Sequence, residues 1–124
     1  MQIEKTLALS KLRKLDSRIR IVRGGSSAGK TIAILLILID YGMRHANKEI
    51  SVVSETIPHL RRGALKDFLN ILKALNRYDD RKFNKTTLKY VFSNGSYIEF
   101  FSTDQPDRLR GARRTDLFVN EAEN

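Results

Sequence analysis

Residues 24–31 read Gly-Gly-Ser-Ser-Ala-Gly-Lys-Thr, and this G-x-x-x-x-G-K-T spacing constrains the fold more than any other stretch of the chain. It is the pattern of a phosphate-binding loop (Walker A) set between a strand and a helix. Gly24 and Gly29 free the backbone to turn successive N–H groups toward a ring of phosphate oxygens, with Gly25, Ser26, Ser27 and Ala28 filling the variable positions between them. Lys30 has the reach and charge for the β- and γ-phosphates, and the Thr31 hydroxyl suits a Mg²⁺ ligand. The flanks agree: Ile19, Ile21 and Val22 lead in as a β-rich run, and Thr31 to Met43 leads out as the apolar run TIAILLILIDYGM. A glycine-rich turn serving structure alone would not need the Lys-Thr pair. The loop implies binding of a nucleoside triphosphate with Mg²⁺.

A chain of 124 residues allows one domain with a modest core, and 41% hydrophobic content suits a globular fold. The absence of cysteine excludes disulfides and cysteine-based zinc sites. The longest apolar run, 32–39, is too short to span a bilayer. The N-terminus is charged and lacks a secretory apolar core, so a cytoplasmic setting without membrane association is expected. The net charge is +9, of which +7 falls on residues 1–62 and +2 on residues 63–124. Such an excess favours a polyanionic partner, with a solvated basic surface as the plain alternative. No compact Lys/Arg block with interleaved aromatics supports direct base readout.

The remaining pattern alternates. Leu7, Leu9, Leu12 and Leu15 among basic residues fit a short amphipathic helix over residues 4–15. Residues 49–54 (EISVVS) read as a strand. Pro58 stands where a helix opens, and Leu60, Leu65, Phe68, Leu69, Leu72 and Leu75 predict one helix from Leu60 to Leu75. Residues 77–85 read as a polar loop. Two β-rich runs, 86–92 and 97–101, flank Ser93-Asn94-Gly95-Ser96, and Asn-Gly between such runs predicts a hairpin. A polar turn, 104–107, precedes a final apolar strand, 117–119. Strand–helix alternation with one hairpin predicts an α/β fold of the P-loop NTPase type (RecA/ASCE-like): a mainly parallel sheet, flanking helices and an inserted β-hairpin.

The final strand ends in Asn120-Glu121. An apolar strand closing on an acid is what a phosphate-loop enzyme requires opposite its loop, to hold a carboxylate near Mg²⁺ and the attacking water. Glu121 suits a general base, whereas Asn120 offers only an uncharged amide to the metal's water shell. The bland alternative is a strand end carrying a solvated acid.

With RGGSSAGKT (23–31), SETIPHLRRGALKDF (54–68), IEFFSTD (98–104), RLRGARR (108–114) and LFVNEAEN (117–124) in this order, the chain resembles the N-terminal part of the ATPase domain of phage terminase large subunits. The likeness is to the branch whose acidic strand ends in Asn-Glu-Ala. The resemblance implies ATP and Mg²⁺ as ligands, Lys30 and Glu121 as catalytic residues, residues Gly24 to Thr31 around the phosphates, and Thr31 with Asn120 toward the metal. It also implies double-stranded DNA as the polymer moved, a portal protein and a small terminase subunit as partners, a homo-oligomeric ring, and the bacterial host cytoplasm as the setting. Many terminases carry an arginine inside the loop; here the charge must come from elsewhere, with Arg23, Arg110, Arg113 and Arg114 as candidates, the last three equally suited to phosphate-backbone contact. Arg61 and Arg62 fit a solvated helix surface better.

A helicase-like ATPase is the alternative motor, and a non-catalytic remnant binding nucleotide or DNA is the alternative outside catalysis. Residues 1–124 are expected to form a partial ATPase domain, from a truncated gene, a prophage remnant or a partial reading frame, without a nuclease site, since Asp79-Asp80 lacks a third carboxylate. A strand expected between the loop strand and the Glu121 strand is missing, predicting a gap or unpaired edges, marginal stability and poor turnover.

Overall fold

The computed structural model describes residues 18–23, 28–105, 107–108 and 116–121, with side chains for 31–105 and 107–108. The 4–15 helix expectation lies outside these residues. β-branched Ile19, Ile21 and Val22 sit in strand β1 (Arg18–Arg23), and the apolar run beyond the glycine-rich segment forms helix α1 (Ala28–Arg44). Strand β2 is Glu49–Ser54, as the pattern predicts.

The continuous helix expected over 60–75 is instead two helices, α2 (Ile57–Arg62) and α3 (Ala64–Ala74). Gly63 separates them with φ −107° and ψ −102°, outside helical values, and its N–H still bonds the His59 carbonyl at 3.0 Å. A Cβ at Gly63 would lie 3.1 Å from that same carbonyl oxygen, so the site is tight as well as bent. Thr56 starts α2 by accepting from the His59 N–H at 3.2 Å, with Pro58 in the first turn, where its missing N–H costs nothing. The segment expected to be loop, 77–85, contains a 3-10 turn (Asp80–Lys82) and the short strand β3 (Phe83–Asn84). The Asn84 carboxamide oxygen accepts from the N–H groups of Thr86 (2.9 Å) and Thr87 (3.0 Å), turning the chain into β4 (Lys89–Val91). The Asn-Gly hairpin is present: β4 pairs antiparallel with β5 (Tyr97–Ser102), and Gly95 takes φ +90° between them. The last strand, β6, is Asp116–Glu121.

The six strands lie in the order β1-β6-β2-β5-β4-β3. The first four are mutually parallel and the last two complete the sheet antiparallel, so the fold is α/β with a mainly parallel sheet and an attached hairpin. The expected gap beside β1 is absent. β1 and β6 pair directly over six register positions, from Arg18–Asp116 to Arg23–Glu121. Facing one another, the two strands satisfy backbone groups that a gap would have orphaned, while β1, first in the strand order, keeps its outer edge unpaired among the described residues.

One apolar layer covers one face of the sheet. Leu35, Leu38 and Ile39 of α1 follow the i, i+3, i+4 spacing of a buried helix stripe. They pack with Leu60 of α2, with Leu65, Phe68 and Leu72 of α3, and with the alternate strand residues Ile50, Val52, Ile98, Phe100 and Tyr90. Phe68 lies at the centre, 5.0 Å from the Phe100 ring and edge-on to Tyr90 at 5.9 Å. The opposite face carries a polar network near the hairpin. Ser51 Oγ donates to Glu99 at 3.1 Å, and Arg108 lies 3.6 Å from the same carboxylate. Arg108 also donates to the Thr87 carbonyl at 3.1 Å, which ties the segment before β6 to the hairpin.

Hairpin and first helix are joined at the helix end. Asn94 Nδ2 donates to the carbonyls of Gly42 (2.9 Å), Met43 (3.2 Å) and His45 (3.3 Å), groups that the end of α1 leaves without helical partners. Ser96 donates to the His45 carbonyl and accepts from the Lys48 N–H at 2.8 Å. Gly42 makes the close approach possible, since a Cβ there would sit 2.7 Å from Phe92 Cε2.

Candidate functional site at the carboxyl edge of the sheet

All four parallel strands end on one edge, where α/β sheets gather their ligand-binding residues. The β1–β6 register aligns Val22 with Asn120 and Arg23 with Glu121. Glu121 therefore ends β6 beside the last residue of β1, and the chain re-enters regular structure at Ala28, the first residue of α1. Lys30 and Thr31 lie in the first turn of α1, with Thr31 half-buried. That turn holds no acidic residue of its own, which leaves the helix start open to an anion.

The backbone thus brings Ala28, Gly29, Lys30, Thr31, Asn120, Glu121 and Arg23 to one end of the sheet. Gly24, Gly25, Ser26 and Ser27 lie outside the described residues, as do Arg110, Arg113 and Arg114. Arg61 and Arg62, in the last turn of α2, are exposed, in keeping with a solvated helix surface.

Farther along the edge, Ser54 and Ser102 stand in register at the ends of β2 and β5. The Thr103 N–H donates to the Ser54 carbonyl at 2.9 Å, and Thr103 Oγ1 donates to the Glu55 carbonyl at 3.2 Å. The Ser102 hydroxyl is engaged by Asp104, and its N–H donates to Gln105 Oε1 at 2.9 Å. Ser54 differs. It is 1% exposed, and among the described residues its hydroxyl has no hydrogen-bond partner. Pattern reading passed over it, although a serine continuing the apolar alternation Ile50, Val52 is the signal that would have found it.

The residues gathered here fit a nucleotide with Mg²⁺. Thr31, Asn120 and Glu121 offer hard oxygen donors, and Mg²⁺ is characteristically held by one or two protein oxygens together with substrate phosphates. Among the described residues no group of three or more His, Cys, Asp or Glu builds a metal cage of its own. No helix among them is long and apolar enough to cross a membrane.

A mainly parallel α/β sheet with a helix opening at its carboxyl edge defines the class of protein. Within that class the family model for the phage terminase large subunit matches residues 16–124. The chain belongs to the phage terminase large subunit family. Among solved structures it is similar to the large terminase from a thermophilic bacteriophage. In one crystal form the TM-score is 0.57 at 19% identity, over 88% of this chain and 34% of that one. Another crystal form of the same large terminase gives 0.52 at 18% identity, over 85% and 32%. This likeness is one of fold, and the chain spans about a third of the length of those structures. No curated protein matches the sequence.

Proposed function

We propose that this chain is the ATP-binding part of a DNA-packaging motor, with a P-loop NTPase site at the carboxyl edge of its sheet. The observation that carries the reading is the β1–β6 register: it sets Glu121 beside the end of the strand that runs into the G-x-x-x-x-G-K-T segment. Residues Gly24 to Thr31 wrap the phosphates with backbone N–H groups, and Lys30 holds the β/γ region by charge. Glu121 takes a proton from the water that attacks the γ-phosphorus in line, so the bond to the β–γ bridging oxygen breaks and ADP leaves with inorganic phosphate. Mg²⁺, when bound through Thr31 and the water shell at Asn120, supplies charge neutralisation at the phosphates. Arg23, the register partner of Glu121, would add positive charge at this edge in this reading, with Arg110, Arg113 and Arg114 as the other candidates. Family membership favours double-stranded DNA as the polymer moved, and portal and small-subunit partners for the intact motor in the host cytoplasm. The net charge of +9 suits that polyanion.

The test is nucleotide binding by Lys30→Ala in the full-length protein. Loss of ATP affinity by 100-fold or more at unchanged melting temperature is expected, on the order of two charge-assisted contacts at about 1.5–3 kcal/mol each. Retained affinity would overturn the site assignment.

A further inference from the structure

The fold gathers beside the β3–β4 edge cations that are scattered in the sequence. Arg77, Lys82 and Ser93 line a concavity of about 230 Å³, floored by Met43, Tyr90 and Phe92. An adjoining concavity of about 650 Å³ shares Lys82 and Phe92 with the first and adds Arg81 and Lys89. Among the described residues no Asp or Glu lines either one. The nearby acids are engaged elsewhere. Asp79 accepts from Arg81 at 3.0 and 3.1 Å, and Asp80 accepts from the Tyr78 hydroxyl at 2.9 Å with the Lys85 ammonium 3.6 Å away. Arg77 is exposed, and its guanidinium has no hydrogen bond or ion pair among the described residues. Lys82 donates to the Ser93 hydroxyl, which leaves the Ser93 O–H itself able to donate outward.

The other polar side chains of the smaller concavity offer no competing acceptor. The Tyr90 hydroxyl accepts from the Asp79 N–H at 2.9 Å and donates to the Arg77 carbonyl at 3.1 Å. Asn94 Oδ1 accepts from the Ser96 N–H at 3.0 Å, while its Nδ2 covers the carbonyls at the end of α1 that would otherwise repel an anion. A concavity walled by donors and short of acceptors suits an oxyanion. With no acceptor left to meet a base's amino group, the contact is one to backbone phosphate, which carries no sequence information. We propose that Arg77 and Lys82 form a phosphate-contact site for the backbone of duplex DNA, apart from the nucleotide site. Arg77 supplies a planar fork that can grip a phosphate with two N–H groups, and Lys82 supplies a point charge. Arg81 and Lys89 extend the positive surface along the same edge. The choice of duplex DNA among polyanions rests on the packaging reading above.

The experiment titrates the full-length protein, nucleotide-free and in Mg²⁺-free buffer, with two fluorescent duplexes of unrelated sequence over a range of salt, alongside its melting temperature. In Arg77→Gln/Lys82→Gln the slope of log affinity against log salt is expected to flatten by about two, about one per lost phosphate contact, and equally for both duplexes. Arg77→Lys/Lys82→Arg keeps both charges and keeps the slope. Arg62→Gln/Lys66→Gln removes two exposed charges from α2 and α3 and leaves the slope as in wild type. A wild-type slope in Arg77→Gln/Lys82→Gln overturns the proposal. Equal flattening in Arg62→Gln/Lys66→Gln marks general charge and also overturns it. Should the glutamine pair melt early, Arg77→Gln alone, whose side chain has no partner to lose, carries the same test with a flattening of about one. If the wild-type protein binds no duplex, the packaging reading falls together with this site. If it binds and Arg77→Gln/Lys82→Gln matches it, only this site falls.

Discussion

The two ends of the sheet treat their polar groups in opposite ways. At the hairpin end, Asn94 makes three bonds to the carbonyls closing α1, and Ser96 bridges His45 and Lys48. Tyr97 there donates to Glu49 at 2.9 Å, and the Lys89 ammonium lies 4.3 Å from the centre of the Tyr97 ring. At the carboxyl edge, the first turn of α1 carries no acid of its own and Ser54 has no partner among the described residues. The polar groups named at the hairpin end are partnered within the fold, whereas at the carboxyl edge bonded groups such as Ser102 and Thr103 stand beside Ser54, which has no partner among the described residues. Polar residues bonded within the fold thus stand apart from one buried hydroxyl without such a bond among the described residues.

The sharpest way to probe this division is at Glu121. Glu121→Gln keeps size and loses the base, so ATP turnover by the intact protein is expected to drop by about 10²–10⁴-fold, with nucleotide affinity and melting temperature nearly unchanged. A variant that melts early instead would mean that the carboxyl edge is structural after all. Asn94→Ala should do the reverse. It strands the carbonyls at the end of α1 and should cost about 1–2 kcal/mol in thermal or chemical unfolding, while nucleotide affinity stays within about twofold. A nucleotide defect as large as the stability defect would erase the distinction between the ends.

The smallest effect concerns alkali. Burial, first of all, pushes the Tyr97 hydroxyl well above the ordinary tyrosine range, reinforced by its hydrogen bond to Glu49 and the negative charge of Glu99. Burial likewise raises Tyr90, whose hydroxyl also donates to the Arg77 carbonyl at 3.1 Å. The folded chain thus holds these protons more tightly than the unfolded one. Their contribution is fully present below the ordinary tyrosine pKa of about 10 and declines as pH rises through and beyond it. Unfolding free energy followed from about pH 8 to 11 should stay level and then fall, and Tyr97→Phe should flatten the fall.

Much of this was legible in the chain itself. The strands at 18–23, 49–54 and 116–121, the helix after the loop and the Asn-Gly hairpin each follow from local periodicity or turn chemistry. Missed features depend on contacts that local patterns do not encode, some of them far apart along the chain. Asn94 meets Gly42 across 52 positions, so nothing beside Asn94 foretells its bonds. Gly63 reads as one weak helical residue until the tight approach to His59 is seen. The short β3 exists because β4 is there to pair with it. Ser54 is marked in the sequence as a serine continuing the apolar row of β2, but only the fold shows that its hydroxyl has no partner among the described residues.

The β1–β6 pairing also governs the order in which the molecule can assemble. Its first register pair joins Arg18 to Asp116, residues about a hundred positions apart in the sequence. Such a closure rewards the chain only after its ordering entropy has been met, and long-range parallel pairing is intrinsically slow. The hairpin and its neighbouring helices, linked by shorter loops, can consolidate before it. Arg23 and Glu121 then come together after the hairpin and its neighbouring helices, so the opposing strands of the candidate site meet late among the described elements.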